Sequence, residues 1–594
     1  MLVFDCEVYT NYFLVMFKNI ESGKYAAFEM FDGQELNRDR VKELMFSDTI
    51  ISFNGNSYDL HILSAAMTWA SCHSIKSVSD KIIKSNDPAW KVAKGFGLRA
   101  LNNLDHIDII DVAPGKASLK IYGGRMHSPK LQDLPIQPDE MISPEQRLLL
   151  KRYCKNDLDT TEALYRQLEP VINLRGQIGK QYGDIDLRSK SDAQIAEAVI
   201  KHELHEYTGR TYTPRKVEIG HICRYVDPKI VSFQTEELQG IFKKILKTGF
   251  PVGFNGAVTM PDWLKNQRIK IGQTEYQMGI GGLHSCEKGQ SIVARSDQIL
   301  ADFDVASYYP SIILKLKLSP QGMGNDFLRI YQDIVTRRLA AKASGDKLTA
   351  DTLKIVINGS FGKLGSMYSA LYAPELMIQT TITGQLCLLM LIEWLEGMGA
   401  QVVSANTDGI VVLCDKRREK WLEEVTFDWM LTTSFELERA DYRSIHSRDV
   451  NNYIAVKPDG KTKRKGVYAE PVLSKNPDFT IVTDAVAAFL SKGTPVEDTI
   501  RSSLNVRGFV TLRQVTGGGM WRGEYLGKAV RFYYSTEPMA SECITYAKNS
   551  NKVPRSDRAK PLMELPEKFP DDVDFERYVS MAREALKDLG VVDA

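Results

Sequence analysis

Two sets of carboxylates stand at spacings suited to holding metal ions. Near the start, LVFDCEVY sets Asp5 and Glu7 two apart among apolar and β-prone residues, so that in a strand they face the same way. Asp59 follows the turn-rich Asn54-Gly55-Asn56, and Tyr153 and Asp157 stand four apart in the helix-like run PEQRLLLKRYCKNDLDTTEALYRQL. Four carboxylates in one pocket repel one another unless cations hold them, and hard divalent ions with oxygen ligands are the natural counter-charge. Such a pocket suits two-metal hydrolysis of a phosphodiester. One ion lowers the pKa of a bound water while the second steadies the leaving oxygen, the two about 4 Å apart. Tyr153 would orient the attacking water. Taken singly, D-x-E on a strand or Tyr and Asp on one helix face describes many solvated surfaces; the ordered set carries the reading.

The second set lies mid-chain. QILADFDVASYYPSIIL alternates Asp302 and Asp304 with Ala301, Phe303 and Val305, the pattern of a half-buried strand. QVVSANTDGIVVLC has two β-rich arms around Asn-Thr-Asp-Gly, which places Asp408 at the tip of a tight hairpin. A lone D-G turn is only a turn. Between these segments, however, SGDKLTADTLKIVINGSFGKLGS reads as a helix with Lys354 and Asn358 on one face and Phe361 and Gly362 continuing it. Phosphoryl transfer needs charge neutralisation and alignment more than covalent help, and metals with Arg and Lys supply both.

These clusters need several elements to position them. A chain of 594 residues exceeds the roughly 250 to 300 at which a single core stops growing, so several domains are expected. The net charge of +1 decides nothing about nucleic acid, because clustering matters more than the sum. Such clusters occur in KASLKIYGGRMHSPK, with Lys116, Lys120, Arg125, His127 and Lys130 as a phosphate-contacting loop, and in Lys461, Lys463, Arg464 and Lys465. Lys528 and Arg531 with neighbouring aromatics would touch duplex. Asp108, Asp111 and Asp159 read as structural. The eight cysteines form no C-x-x-C pair, which argues against a zinc site or a disulfide framework and fits a reducing cytoplasm. No uninterrupted apolar run approaches the roughly 18 residues of a membrane span, and the N-terminus lacks signal-peptide features. A cytoplasmic protein without a membrane partner is expected.

The N-terminal motifs resemble those of DnaQ-like 3′→5′ exonucleases: D-x-E in FDCE, N-x-x-x-Y-D in NGNSYD and Y-x-x-x-D in YCKND. The resemblance implies an RNase H-like domain in which Asp5, Glu7, Asp59 and Asp157 ligate metal, Tyr153 positions water, and Asn54 and Tyr58 contact a frayed 3′ end. DVASYYPS, KIVINGSFG and SANTDG, in that order, resemble the motifs D-x-x-S-L-Y-P-S, K-x-x-x-N-S-x-Y-G and Y-G-D-T-D-S of family B DNA polymerases, of phage type by compactness. This implies that Asp304, Asp408 and the Val305 carbonyl hold both catalytic metals. Lys354 would hold the incoming triphosphate, and Arg338 and Lys342 in RRLAAK its β- and γ-phosphates. Asn358 and Phe361 would line the nascent base pair, and Tyr309 would exclude a 2′-hydroxyl. NNYIAVKPDGKTKRKGVY resembles the primer-gripping segment, with Tyr453, Lys463, Lys465 and Tyr468 at the nucleic acid and Asn452 where a Lys is expected. The departures are Asn406 for the first Asp of D-T-D, Gly409 for its Ser and Ser404 for the leading Tyr, one negative charge fewer in all. GIGGLHS at 279–285 stands where relatives carry a template-contact loop, without the usual Tyr.

The expected fold is therefore a multidomain chain of α/β and α+β classes, an RNase H-like exonuclease followed by a right-hand palm, fingers and thumb. Expected boundaries are 1–170 exonuclease, 171–290 connecting region and palm entry, 291–320 palm, 321–365 fingers, 366–470 palm and 471–594 thumb. The expected cofactors are two Mg²⁺ or Mn²⁺ per site, with dNTP as substrate. Expected partners are primer–template DNA, a single-stranded 3′ end and accessory replication proteins, for a monomer in the cytoplasm, that of the host if phage-encoded. The runner-up is an exonuclease whose polymerase module, impaired by Asn406, serves as a DNA clamp; a non-enzymatic primer–template scaffold explains neither acid cluster.

Overall fold

The computed structural model describes residues 1–69 and 71–591. The chain divides into two compact units, each built from separated segments. The first comprises Met1–Ser191, Pro471–Ile481 and Ser503–Arg577; the second comprises Asp192–Glu470, Val482–Ser502 and the chain from Tyr578 onward. Residues 471–594, read from sequence as one thumb, are thus shared between both units.

In the first unit a five-stranded sheet runs in the order Tyr25–Phe31, Tyr12–Asn19, Leu2–Tyr9, Ile50–Ser52, His106–Asp108. The first three strands pair antiparallel and the last two join in parallel. Alternation along Leu2–Tyr9 sends Leu2, Phe4, Cys6 and Val8 into one core and Val3 and Tyr9 into another, shared with Leu150, Cys154 and Leu158. Asp5 and Glu7 have the parity of Val3, so they face the helix that bears Asp157. That helix, Pro144–Gln181, starts at a capping box: Gln146 N–H donates to the Ser143 hydroxyl at 3.4 Å, and Ser143 N–H donates to the Gln146 side chain at 2.8 Å.

A second sheet in this unit, ordered Lys552–Asp557, Cys543–Tyr546, Thr511–Trp521, Glu524–Tyr534, Ala559–Pro561, packs Leu512 and Ala529 against Ile121 and Leu131. Arg531, expected at duplex DNA, is fully buried in it. Its guanidinium donates to the carbonyls of Leu562 at 2.7 Å, Ser128 at 2.9 Å, Met563 at 3.3 Å and Pro129 at 3.5 Å, so it clasps loops together and meets no solvent.

The second unit centres on a seven-stranded sheet ordered Leu437–Tyr442, Gln298–Val305, Gly409–Asp415, Gln401–Asn406, Leu283–Ser285, Thr274–Met278, Ile269–Ile271. The helix Pro374–Gly397 packs into its core. By length and composition this helix is apolar enough to cross a membrane, which the sequence reading overlooked, but it is mostly buried inside the unit. Its polar side chains have interior partners: Glu393 accepts the N–H groups of Gln234 and Thr235 at 2.9 and 2.8 Å. Helices Gly324–Ser344 and Lys347–Leu364 are joined through Gly345, whose φ of 77° the turn requires. At Gly359 a Cβ would stand 2.7 Å from the Asp192 carbonyl, so only glycine lets the helix Asp192–Thr208 approach. The unit also holds a four-stranded sheet, Gln290–Val293, Ser444–Asp449, Asn452–Val456 and Thr462–Arg464, and a two-stranded one, Ile222–Arg224 with Gly249–Pro251.

Replacing Arg531 by Met strips four carbonyls of a charged donor and is expected to destabilise the protein by about 3 kcal/mol. A urea unfolding midpoint equal to that of the unaltered chain would remove the clasp.

Candidate metal centres and nucleic-acid surface

In the first unit, ligand atoms of Asp5, Glu7 and Cys154 lie within 4.8 Å of one another. Glu7, Asp59 and Asp157 are buried and Asp5 is half-buried. Asp59 opens the helix Asp59–Thr68, delivered by a turn in which Asn54 adopts φ 72°. The Asp108 carboxylate pins that turn by accepting the N–H groups of Asn54 at 2.8 Å, Asn56 at 2.9 Å and Ile110 at 3.2 Å. Asp159 pairs with Lys18 at 2.5 Å. Both serve structure.

Burial, then the neighbouring charges of Asp59, Glu7 and Asp157, pushes Asp5 well above the usual carboxylate range. Glu7 rises for the same reasons, burial first and then Asp157. Asp59 is pushed up to about 7, by burial and then by Asp108. Asp157 is raised by burial against the pull of Lys120. The donor set, carboxylate oxygens crowded beyond what they tolerate alone, fits hard divalent cations.

Lys120 is the residue whose place the sequence reading missed. Its segment, read as a phosphate loop, is the helix Leu119–Arg125, N-capped by Ser118. Its ammonium pairs with Asp157 and lies 4.2 Å from the centre of the Tyr153 ring. The capping signal Ser118 before Leu119-Lys120-Ile121 was available in the sequence; the partner, 37 residues away, was not. Arg125 is likewise occupied, donating to the Asn476 side chain and the Leu473 carbonyl at 2.8 Å each. Tyr58 is half-buried with its hydroxyl 2.7 Å from that of Ser79. Asn54 lines a cavity of about 410 Å³ with Asn56, Ser57, Asp108, Lys116 and Gln514.

In the second unit, Asp304 pairs in register with Gly409, and Asn406 with Gly409 across a turn of Thr407 and Asp408. A Cβ at 409 would meet the Asp304 carboxylate as it is placed here, so a serine in this position would require that side chain to turn aside. Val305 N–H donates to the Asp408 carbonyl at 2.7 Å and locks the hairpin tip to the strand bearing Asp304. Asp304, Asp408, Asp302, Asn406, Lys463 and Lys465 line a cavity of about 460 Å³. Burial and then Asp302 push Asp304 up to about 6, and burial raises Asp408. The Asn406 amide donates to the Val450 carbonyl and the Asn451 side chain at 3.3 Å each. Two carboxylates again fit an oxygen-seeking divalent ion.

Tyr309 stacks on Phe361 with ring centres 4.4 Å apart and donates its hydroxyl to the Gly281 carbonyl. Arg338 donates to the Ser307 hydroxyl at 3.0 Å. Lys342, one turn further along that helix, and Lys354 and Asn358 on the next are exposed. Tyr453 is half-buried on the cavity wall and Lys465 is exposed. Tyr468, expected at nucleic acid, is 3% exposed and does not present its ring. Its tight turn is pinned by Asn452, which accepts Val467 N–H at 2.8 Å; this is what asparagine does in the place of the expected lysine.

No protein-family model matches the chain. Over 186 residues, 31% of the chain, it is 26% identical to a protein named DNA polymerase 1 from Sulfurisphaera ohwakuensis, and the match spans about a fifth (19%) of that relative's length. Over 79 residues, 13% of the chain, it is 39% identical to the full length of the uncharacterized mitochondrial protein ymf34 of Marchantia polymorpha, a name that assigns no activity. Among solved structures, the family B DNA polymerase of the hyperthermophilic archaeon Pyrobaculum calidifontis aligns with 100% of this chain and 78% of its own at 14% identity and a TM-score of 0.42.

Because Asp59 holds its proton up to about pH 7 in the folded protein but releases it near pH 4 when unfolded, the metal-free chain loses stability as pH rises between those values. Asp59→Asn is therefore expected to raise the melting temperature in EDTA at pH 8 and leave it unchanged near pH 4. A variant no more stable than the unaltered chain at pH 8 would contradict the crowding of these acids.

Proposed function

We propose that this chain, which belongs to the same family as the uncharacterized mitochondrial protein ymf34, is a template-directed DNA polymerase of family B that also proofreads with a 3′→5′ exonuclease. The similarity to a named DNA polymerase supports the polymerase half, and one observation carries it: Asp304 and Asp408 come to one cavity through the hairpin locked by Val305 N–H to the Asp408 carbonyl. Two Mg²⁺ or Mn²⁺ per site would activate the attacking oxygen and neutralise charge on the leaving group. Asp304, Asp408 and the Val305 carbonyl hold them. Arg338, released from the Ser307 hydroxyl, and Lys342 grip the terminal phosphates, while Lys354 holds the triphosphate. Asn358 and Phe361 line the new base pair. Tyr309, braced on Phe361 and tied to the Gly281 carbonyl, leaves no space for a 2′-hydroxyl.

In the nuclease, Asp5, Glu7, Asp59 and Asp157 surround the scissile phosphodiester of a frayed 3′ end received by Asn54 and Tyr58. Tyr153 orients the attacking water, and Lys120 holds Asp157 in place. Primer–template DNA and a single-stranded 3′ end are the partners. The alternative, an exonuclease whose polymerase module only clamps DNA, draws on Asn406, whose amide points to Val450 and Asn451.

Primer extension with Mg²⁺ and four deoxynucleotides tests the reading, and no extension would defeat it. Asp408→Ala is expected to cut synthesis at least a hundredfold, to order of magnitude, and spare degradation. Asp5→Ala should do the reverse, and joint loss in either variant would contradict independent sites. Tyr309→Ala is expected to raise ribonucleotide incorporation roughly tenfold or more, measured by alkaline cleavage of the product; an unchanged ratio would release Tyr309 from sugar selection.

A further inference from the structure

Asp302 stands two residues before Asp304 on the same strand, so alternation puts both on one face and both line the same cavity. Asp302 is 6% exposed, and a buried carboxylate is tolerated only where partners replace its water. It has two. Tyr442 donates its hydroxyl to Oδ2, and Lys463 Nζ reaches the same oxygen at 2.9 Å. Tyr442 comes from the adjoining strand of the seven-stranded sheet, whereas Lys463 comes from the four-stranded sheet. The ammonium thus placed lies 3.8 Å from Asp304 Oδ2 and 5.8 Å from the centre of the Tyr442 ring. A lysine head is compact, hydrated and carried on a flexible stem, so one held among an acid, a phenol and a second acid has had its position built. Lys465 lines the same cavity but is exposed.

We propose that Asp302 is a positioning residue. With Tyr442 it fixes the Lys463 ammonium on the wall beside Asp304, where that ammonium takes a phosphate oxygen at the 3′ terminus of the primer. The inference rests on the polymerase reading and deepens it. If Asp302 were a bare charge facing DNA, its removal would tighten binding. If it were only a strut between sheets, its removal would lower stability and leave binding alone.

The test is fluorescence anisotropy of a labelled primer–template with the full chain in EDTA, so that metal binding does not enter, with primer extension run alongside. Asp302→Asn and Lys463→Met are each expected to weaken binding about fivefold, and the double variant no further, because both remove one placed contact. Asp302→Glu should recover part of the loss. In extension the rate at saturating nucleotide should fall in both single variants while the nucleotide KM stays unchanged. Asp302→Asn binding as tightly as the unaltered chain or tighter, or effects that add in the double variant, would overturn the inference alone. Failure of the unaltered chain to bind the duplex would overturn it together with the polymerase reading. Should Asp302→Asn not fold, Tyr442→Phe removes one of the two donors to that carboxylate. It is expected to weaken binding about twofold, an effect absent in the Lys463→Met background, and equal binding by Tyr442→Phe and the unaltered chain would overturn the proposal.

Discussion

Carboxylates crowded away from water repel one another and lose their hydration, and both units are organised around holding such groups together. In the first, Asp59, Glu7 and Asp157 raise the proton affinity of Asp5, and Asp5 raises that of the Cys154 thiol. In the second, Asp304 is pushed up to about 6 beside Asp302 and Asp408. Neither arrangement is one a flexible chain would hold. The first is maintained by a sheet with cores on both faces, a helix capped at its start and a turn pinned by Asp108. The second is maintained by a two-residue hairpin tip bonded to the neighbouring strand.

The two sites share a device. Each receives a lysine from an element outside the acid-bearing ones: Lys120 from a short helix pairs with Asp157, and Lys463 from a separate sheet pairs with Asp302. A resident ammonium offsets part of the repulsion before any divalent ion binds, and it keeps the carboxylates pointed inward. In each case an aromatic ring flanks the ammonium, Tyr153 in one and Tyr442 in the other.

What was legible in the sequence follows from short-range periodicity. Alternation placed Asp5 with Glu7 and Asp302 with Asp304, four-residue spacing placed Tyr153 with Asp157, and Asn-Thr-Asp-Gly located a hairpin tip that the strands Gln401–Asn406 and Gly409–Asp415 form. What escaped depends on partners far along the chain. Nothing near Arg531 says that its acceptors are Ser128 and Leu562, nothing near Lys120 names Asp157, and Tyr468 reads as a basic-flanked aromatic until its turn is seen folded onto Asn452. The long helix Pro374–Gly397 escaped for the opposite reason: Thr, Gln and Glu interrupt its apolar run, yet the interior supplies partners for them.

The first unit draws on three stretches of chain, and its last, Ser503–Arg577, carries the Arg531 clasp and the Leu512 that packs against Ile121. On the ribosome Met1–Ser191 therefore emerge well before the strands Thr511–Trp521 and Glu524–Tyr534, which supply Leu512 and Ala529 against Ile121 and Leu131. Folding that proceeds from the N-terminus can build the five-stranded sheet on its two cores first, while the packing of Ile121 and Leu131 on Leu512 and Ala529 waits for the later strands. A chain cut before residue 531 lacks the guanidinium that ties down the Ser128 and Pro129 carbonyls, so a truncation there is expected to loosen the Met1–Ser191 segment as well as its own.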